Sequence, residues 1–470
     1  MDNVGKRNLF LEKKAEISGN SSARTRIAMI LDEGSFMEVG AFVKQRPTEL
    51  GGIADAAAEG VVTGWGTIDG APVCVFSQDV SAMGGAISEM HAKKICAIYD
   101  YALKTGIPVI GIFDSKGARI AEGVDALNGY ASVIAKATAA GAMIPQIAVV
   151  AGNCGGATAI VASCFDFVVA VEGSEFYFNS PTVLASKFGK AEVKASASAA
   201  AENGLAAFDC ASDAEAAGIV RALLAYLPAN SSGDKNFDST SDDINRLADM
   251  NAMAAGDAKS VLANVADCGQ YLEVGAKFAT EVFTGFARFD GESVAVVGFC
   301  GDITAAGAAK AADFIGFADM FGLSLVTVLN SDGFECSYGF ETSGITAAAA
   351  LAGSYAAASV PMITLITGNA TGSVYATVGA KGLGCDMAFA WPQAEISALK
   401  ASAAVDLLCA EELKASDDPI AARAKLTEEY NDKLAAPYEA AKRGYIDEII
   451  DPIETRQALV YALGLLSTKN

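Results

Sequence analysis

The sequence predicts an α/β protein made of two tandem copies of one domain. Three observations carry this. The chain has 470 residues, 52% of them hydrophobic, which is too long for one ordinary core and suits two domains of roughly 200–250 residues. Motifs recur at a fixed offset: Ile144-Pro145 returns as Val360-Pro361, Gly152-Asn153 as Gly368-Asn369, and Gly156 as Gly372. Gly106 and Gly322, Lys94 and Lys310, and Ser115 and Ser331 keep the same spacing. Finally, continuous apolar runs alternate with helical stretches. A repeat this long means a duplicated domain. Chance alignment of Ala- and Gly-rich sequence does not account for matches that fall at turns as well as in cores. The boundary is placed between residues 240 and 241, giving domains 1–240 and 241–470.

Each copy opens on a hairpin. Val61–Gly66 and Pro72–Gln78 flank Asp69-Gly70, a strong hairpin signal because both turn residues take a left-handed backbone. The pair recurs as Asp290-Gly291 between Thr284–Phe289 and Ser293–Phe299, and its slightly larger offset is a loop difference. A helix is expected near 91–104. Pro108–Asp114 then reads as a strand buried on both faces, as in parallel sheets. A loop and a second helix lead to the strand 147–150 and the turn Gly152–Gly156. The second copy gives a helix near 308–321, the strands 324–330 and 362–366, and a turn from Gly368 to Ser373. This alternation implies right-handed crossovers within α/β layers. Ala195–Asp242, rich in Ala, Ser, Asp and Asn, reads as the inter-domain connection, and Glu411–Asn470 as a helical C-terminal extension.

Composition removes several functions. Lys plus Arg is 34 and Asp plus Glu 56, a net charge of −22, so a basic nucleic-acid surface is not expected. The only imidazole is His91, which excludes multi-His zinc sites and HExxH proteases; no metal is expected. The ten cysteines form no CxxC pair and read as buried apolar residues of a reducing compartment. Met1–Lys14 has no apolar h-region, so no signal peptide is expected and the cytoplasm is the expected location. Two windows, 137–165 and 344–380, lack charge and exceed a membrane span in length. Pro, Gly and Asn break both, so they read as helix, buried strand and turn.

The chemistry is expected at the strand-to-helix turns, where ligands of such sheets bind. Gly155-Gly156-Ala157 and Gly372-Ser373-Val374 each follow a strand and open a helix, so free backbone N–H groups point outward there. The loop Asp114-Ser115-Lys116-Gly117-Ala118-Arg119 ends the neighbouring strand and can supply a second donor. Two N–H groups on one oxygen make an oxyanion hole without any titratable side chain, which suits a chain with one His. A Gly-Gly turn serves close packing as well; recurrence in both copies favours a ligand. Residues 61–160 carry Lys93, Lys94, Lys104, Lys116, Arg119 and Lys136, while 281–380 carry Arg288 and Lys310. A phosphate-bearing ligand therefore suits the first copy and a neutral ligand the second.

The residues also match a family. Gly60-Val61-Val62-Thr63-Gly64-Trp65-Gly66, Gln78-Asp79, Gly84-Gly85, Glu89-Met90-His91-Ala92-Lys93-Lys94-Ile95 and Gly117-Ala118-Arg119-Ile120 resemble biotin-dependent acyl-CoA carboxyltransferases. Ile144-Pro145-Gln146-Ile147, Ala390-Trp391-Pro392 and Arg443-Gly444-Tyr445-Ile446-Asp447 are also similar, and the resemblance runs from about Arg24 to Leu466. The family includes the carboxyltransferase subunits of propionyl-CoA carboxylase and of methylmalonyl-CoA and glutaconyl-CoA decarboxylases.

The resemblance implies two crotonase-like (ClpP/crotonase) domains, the first binding acyl-CoA and the second biotin on a separate carrier protein. It implies a homo-hexamer built as a trimer of dimers, each active site lying between the first domain of one subunit and the second of another. A biotin carboxylase or a membrane decarboxylase subunit would be the CO₂-handling partner. Gly117, Ala118, Gly155, Gly156 and Ala157 would hold the thioester enolate; Gly372, Ser373 and Val374 would hold the ureido oxygen. Gly84, Gly85, Lys93, Lys116 and Arg119 would line the CoA side, and Gly333, Phe334 and Tyr375 the biotin side. His91 reads as structural. The family's Arg-Lys-Ala-Tyr-Gly-Gly-Ala-Tyr-Asp is Gly368-Asn369-Ala370-Thr371-Gly372-Ser373-Val374-Tyr375-Ala376 here, and its Asp-Val-Pro-Gly-Phe is Asn330-Ser331-Asp332-Gly333-Phe334. These departures fall on the biotin half. The alternatives are a biotin-independent crotonase-type acyl-CoA decarboxylase or hydrolase, and a non-catalytic assembly subunit.

Overall fold

The computed structural model describes residues 3–17, 19, 21–48, 56–189 and 195–469. The chain divides into two compact units, Met1–Asp234 and Lys235–Asn470.

The first unit begins with helices α1 (Asn3–Ile17) and α2 (Ser22–Ile30). Strands β1 (Met37–Glu38), β2 (Val61–Ile68) and β3 (Ala71–Gln78) are antiparallel. The β2–β3 turn puts Asp69 at φ +50° and Gly70 at φ +81°, the left-handed pair that matches strand twist. There follow α3 (Glu89–Thr105), β4 (Val109–Phe113), α4 (Val124–Gly141), β5 (Gln146–Val150), β6 (Asn153–Gly155), α5 (Ala157–Ala162), β7 (Phe167–Val171) and β8 (Glu175–Tyr177). Helix α6 (Pro181–Phe188), helix α7 (Ala197–Glu202), strand β9 (Phe208–Cys210) and helix α8 (Asp213–Tyr226) complete it. The main sheet runs β1-β2-β3-β4-β5-β7-β9, while β6 and β8 form a separate parallel pair. Every residue of β4, β5 and β7 is buried, as expected of parallel strands covered on both faces. Phe76, Phe113 and Phe165 meet edge to face in this core.

The second unit repeats the plan. Helix α9 (Ala258–Val265) precedes β10 (Tyr271–Val274), β11 (Val282–Phe289) and β12 (Glu292–Ile303). Next come α10 (Ala305–Met320), β13 (Ser324–Phe334), α11 (Ile345–Ala357), β14 (Met362–Thr371), α12 (Ser373–Thr377), β15 (Met387–Ala390) and β16 (Glu395–Ser397). Helices α13 (Ala401–Leu408), α14 (Ala410–Ala415), α15 (Pro419–Tyr430) and α16 (Pro437–Lys442) lead to β17 (Glu448–Ile449) and α17 (Thr455–Leu466). The sheet runs β10-β11-β12-β13-β14-β15-β17, with β16 beside the end of β14.

The repeat extends to side-chain contacts. The carboxylate of Asp32 accepts the Asp69 and Gly70 N–H groups at 3.1 and 3.0 Å, and that of Asp267 accepts Asp290 and Gly291 at 3.1 and 2.7 Å. The Gly70 N–H and the Thr67 hydroxyl pull Asp32 down to about 2. Arg221 of α8 binds Asp32, and Arg456 of α17 binds Asp267. Lys94 donates to the Val61 carbonyl; Lys310 donates to those of Gly275, Phe278 and Val282. Burial pushes both ammonium groups down to about 8.

Three expectations change. The segment 195–242 is not merely a connection: Ser196 and Ser212 cap helices, and Ala is the best helix former, so α7, β9 and α8 belong to the first unit. The residues beyond Glu411 are mostly helical, but β17 joins the sheet and Leu459, Val460 and Leu463 of α17 enter the core. Gly368–Thr371, expected as a turn, continues β14 because β16 offers it a partner, Asn369 to Thr371 pairing with Glu395 to Ser397. The uncharged windows resolve into α4–β5–β6–α5 and α11–β14–α12. Among the described residues no helix is long and apolar enough to cross a membrane. All ten cysteines are unpaired.

Candidate active site

Both units carry the same turn at the end of a strand. Gly156 has φ +61° and ψ −127°, and Gly372 has φ +63° and ψ −135°, a region open to glycine alone. Each is the cap of the helix that follows. Their own N–H groups are engaged: Gly156 donates to the Tyr177 carbonyl at 3.0 Å and Gly372 to that of Ser397 at 2.8 Å. The expected assignment of these two glycines as oxyanion donors is therefore corrected. What stays outward are the N–H groups of the first helical residues, Ala157 and Ser373, because the first turn of a helix has no internal partner for them; Val374, expected as a further donor, is instead fully buried. The Gly155 N–H faces away from β8, since Gly152 and Gly156, in the alternate register, make bonds to that strand and successive residues alternate sides.

The neighbouring loop obeys the same logic. Gly117 gives its N–H to the Ser115 hydroxyl at 3.1 Å, and Gly333 to that of Ser331 at 3.3 Å, so Gly117 too is withdrawn as a donor. Ile87 donates its N–H to the Gly117 carbonyl at 2.8 Å, and its own carbonyl accepts the Arg119 N–H at 2.9 Å. The N–H of Ala118, between them, is turned to the other side. Phe334 stands in the matching position, paired with Ile303 while Glu335 donates to the Ile303 carbonyl. Its ring packs on Phe340, 5.2 Å between centroids. The loop and the turn are stitched together: Ser115 donates its N–H to the Asn153 carbonyl at 2.8 Å, Asn153 donates its side-chain amide to the Ser115 carbonyl at 2.7 Å, and the Tyr177 hydroxyl donates to Asn153 Oδ1 at 2.7 Å. In the second unit Asn369 takes the place of Asn153 and donates to Asp332 Oδ1 at 2.6 Å. Close approach needs glycine: a Cβ on Gly152 would lie 2.1 Å from the Asp114 carboxylate, and one on Gly368 2.2 Å from Asn330 Oδ1.

Gly84 and Gly85, at φ +69° and +60°, let their loop lie on this turn. A Cβ on Gly85 would stand 2.5 Å from the Asp114 carbonyl, and the Lys116 stem covers Gly84. Lys116 itself is exposed. The other expected cations have carboxylate partners. Arg119 is held by Glu59 and Glu122 in a mostly buried cluster; burial disfavours the Glu59 carboxylate, but the Arg119 hydrogen bond, nearby positive charge and the Gly60 N–H together outweigh it and hold Glu59 below its usual range. Two carboxylates thus already counter the Arg119 charge, which favours a structural role for it over binding phosphate. Lys93 pairs with Glu89 at 2.7 Å but stays 63% exposed. His91 is fully buried, and burial pushes it down to about 3, so it stays neutral. Gln78 accepts the Asp114 N–H at 3.1 Å, which turns its amide nitrogen toward His91 Nε2, 3.5 Å away. Tyr375 is half-buried in α12, and burial raises its phenol. Among the described residues no group of His, Cys, Asp and Glu comes together to hold a metal.

Sequence reasoning missed the two carbonyls that tie the glycines back, Tyr177 and Ser397. Strand pairing of β6 with β8 and of β14 with β16 leaves no spacing signal. The recurrence of Ser115 as Ser331 was a visible signal for the hydroxyls that engage Gly117 and Gly333.

Comparison with known proteins identifies the family. A carboxyl transferase domain model matches residues 14–470. The propionyl-CoA carboxylase beta chain of Saccharopolyspora erythraea is 37% identical, covering 97% of this chain and 89% of that one. The methylmalonyl-CoA carboxyltransferase 12S subunit of Propionibacterium freudenreichii is 36% identical, covering 97% and 90%. The methylmalonyl-CoA decarboxylase subunit alpha of Veillonella parvula is 37% identical, covering 97% and 92%. A crystal structure of transcarboxylase 12S, a hexamer with hydrolyzed methylmalonyl-coenzyme A bound, matches with a TM-score of 0.90 at 35% identity, over 98% of this chain and 92% of that one.

Proposed function

The chain belongs to the carboxyl transferase domain family, and from that membership we propose that it moves a carboxyl group between an acyl-CoA thioester and biotin carried by a separate protein. One observation carries the mechanism. Both units tie back the glycine N–H of a strand-to-helix turn and leave the next residue's N–H outward. Each turn thereby presents a backbone donor, suited to an oxygen that gains charge during the reaction.

In the first unit, Ala118, Gly155 and Ala157 would hold the thioester oxygen. When the acyl carboxylate leaves as CO₂, the C–C electron pair becomes an enolate whose oxygen rests on these N–H groups, and its α-carbon then takes a proton. Lys116 is the exposed cation beside this turn and would meet a CoA phosphate. In the second unit, the Ser373 N–H fits a ureido oxygen, because it needs no titratable partner, and Tyr375 and Phe334 would supply apolar walls. Biotin, when bound, supplies the ureido nitrogen that accepts the carboxyl group and releases the proton. We propose a homo-oligomer of the hexameric kind in the cytoplasm, working with a carrier protein and a CO₂-handling subunit.

The test is transfer of label from carboxyl-labelled malonyl-, methylmalonyl- and glutaconyl-CoA to free biotin. Labelled biotin product supports the proposal. Loss of CO₂ that ignores biotin points to a biotin-independent decarboxylase, and no turnover with any acyl-CoA, carrier present, points to an assembly subunit.

A further inference from the structure

The second unit spends its obvious cations away from its turn. Lys310 gives its ammonium to three carbonyls, each at 2.8 Å. Arg288 lies 3.5 Å from Asp238, and Lys381 pairs with Asp447. Lys400 is placed differently. It caps α13, shortly beyond Ser397, whose carbonyl takes the Gly372 N–H. Its Nζ lies 2.7 Å from Asp332 Oδ2, while Asp332 Oδ1 accepts the Asn369 amide at 2.6 Å. Asn369 precedes Gly372 on β14, and Asp332 precedes Gly333 on β13. Asp332 thus links the two segments that carry Phe334 and Ser373 and brings one ammonium to their edge.

The pair is open, with Lys400 55% and Asp332 30% exposed, so its worth to stability is small. Its position is the informative part. An ammonium has three N–H donors, and Asp332 takes one. The first unit reaches the same result by the reverse arrangement. There the position matching Asp332 is Lys116, exposed at the turn, and the helix cap matching Lys400 is Ser180. Among the described residues each turn therefore has an exposed ammonium at its edge, delivered from opposite sides.

Carboxyl transfer brings a negative charge to the second unit's ligand. We propose that Lys400, anchored by Asp332, is a further binding residue there, its ammonium pairing with the carboxylate of a ligand whose ureido oxygen rests on the Ser373 N–H. The inference rests on the carboxyltransferase reading and adds to it a charge-selective contact.

The experiment titrates the intact protein, K400A and K400R with biotinamide and with N-carboxymethyl-biotinamide by calorimetry, alongside label transfer from malonyl-, methylmalonyl- and glutaconyl-CoA to biotin. K400A weakens the carboxymethyl compound about tenfold, the size of one charge-assisted hydrogen bond, and leaves biotinamide within about twofold; K400R restores binding. Transfer falls in kcat by a similar factor in K400A. If wild type transfers label but K400A binds both compounds as wild type does, Lys400 plays no such part. A D332N/K400A protein that regains full affinity would mean Lys400 merely masks Asp332, which also overturns the inference. A wild-type protein that binds neither compound and transfers nothing removes the carboxyltransferase reading and this inference together.

Discussion

Replacing Ala157 with proline removes one backbone donor and little else. Ala157 is the first residue of α5, preceded by Gly156 at φ +61° and ψ −127°. Proline is favoured at a helix's first position, where the missing N–H has no internal partner. The restriction it places on the preceding residue concerns the α region, which Gly156 does not occupy. Stability should change by no more than about 1 kcal/mol. If the Ala157 N–H holds the enolate oxygen, its loss removes about 3 kcal/mol of transition-state stabilisation, or roughly 10²–10³ in kcat. Label transfer to biotin measures the rate, a thermal midpoint measures the fold, and Ala157→Gly, which keeps the donor, is the control. Gly156→Pro is the wrong probe. It breaks the 3.0 Å bond to Tyr177, and a proline ring cannot reach the positive φ of that position. A folded Ala157→Pro protein with kcat within about threefold of wild type would refute the donor assignment.

Two further outcomes concern the frame. Lys94 and Lys310 have ammonium groups pushed from 10.5 to about 8, so the unfolded chain binds more protons between pH 8 and 10.5. Stability should rise with pH across that window, by up to roughly 3 kcal/mol per lysine before solvent screening, and K94M/K310M should flatten the rise in urea midpoints. Arg456→Ala should cost about 3–5 kcal/mol, because loss of a fully buried guanidinium leaves Asp267 unpaired. Arg221→Ala breaks the matching but 29%-exposed pair with Asp32 and should cost less than about 1 kcal/mol. Equal losses in chemical denaturation would contradict the burial argument.

The duplicated plan was legible because turns demand particular residues. Asp69-Gly70 and Asp290-Gly291 need left-handed backbones, and Gly156 and Gly372 need a conformation closed to other residues. Apolar β4 and β5 announced themselves by lacking polar alternation. Pairing was not legible. Nothing in the spacing of Gly155-Gly156 says that β8 takes one of the two N–H groups, and nothing in Gly368–Thr371 says that β16 extends the strand. Arg119 looked available for phosphate because its partner Glu59 lies far upstream in sequence and only the fold brings it near. Lys400 escaped notice because its motif-free segment meets Asp332 only in three dimensions.

The tied-back glycines have a consequence for how such a site is mapped. Ala118, Ala157, Ser373 and Phe334 place unrelated side chains at equivalent positions, and two are already alanine. An alanine scan, the usual survey of an enzyme, would pass over the first turn without altering a single donor. The groups that matter become visible only to changes in the main chain itself, by proline or by an ester in place of one amide.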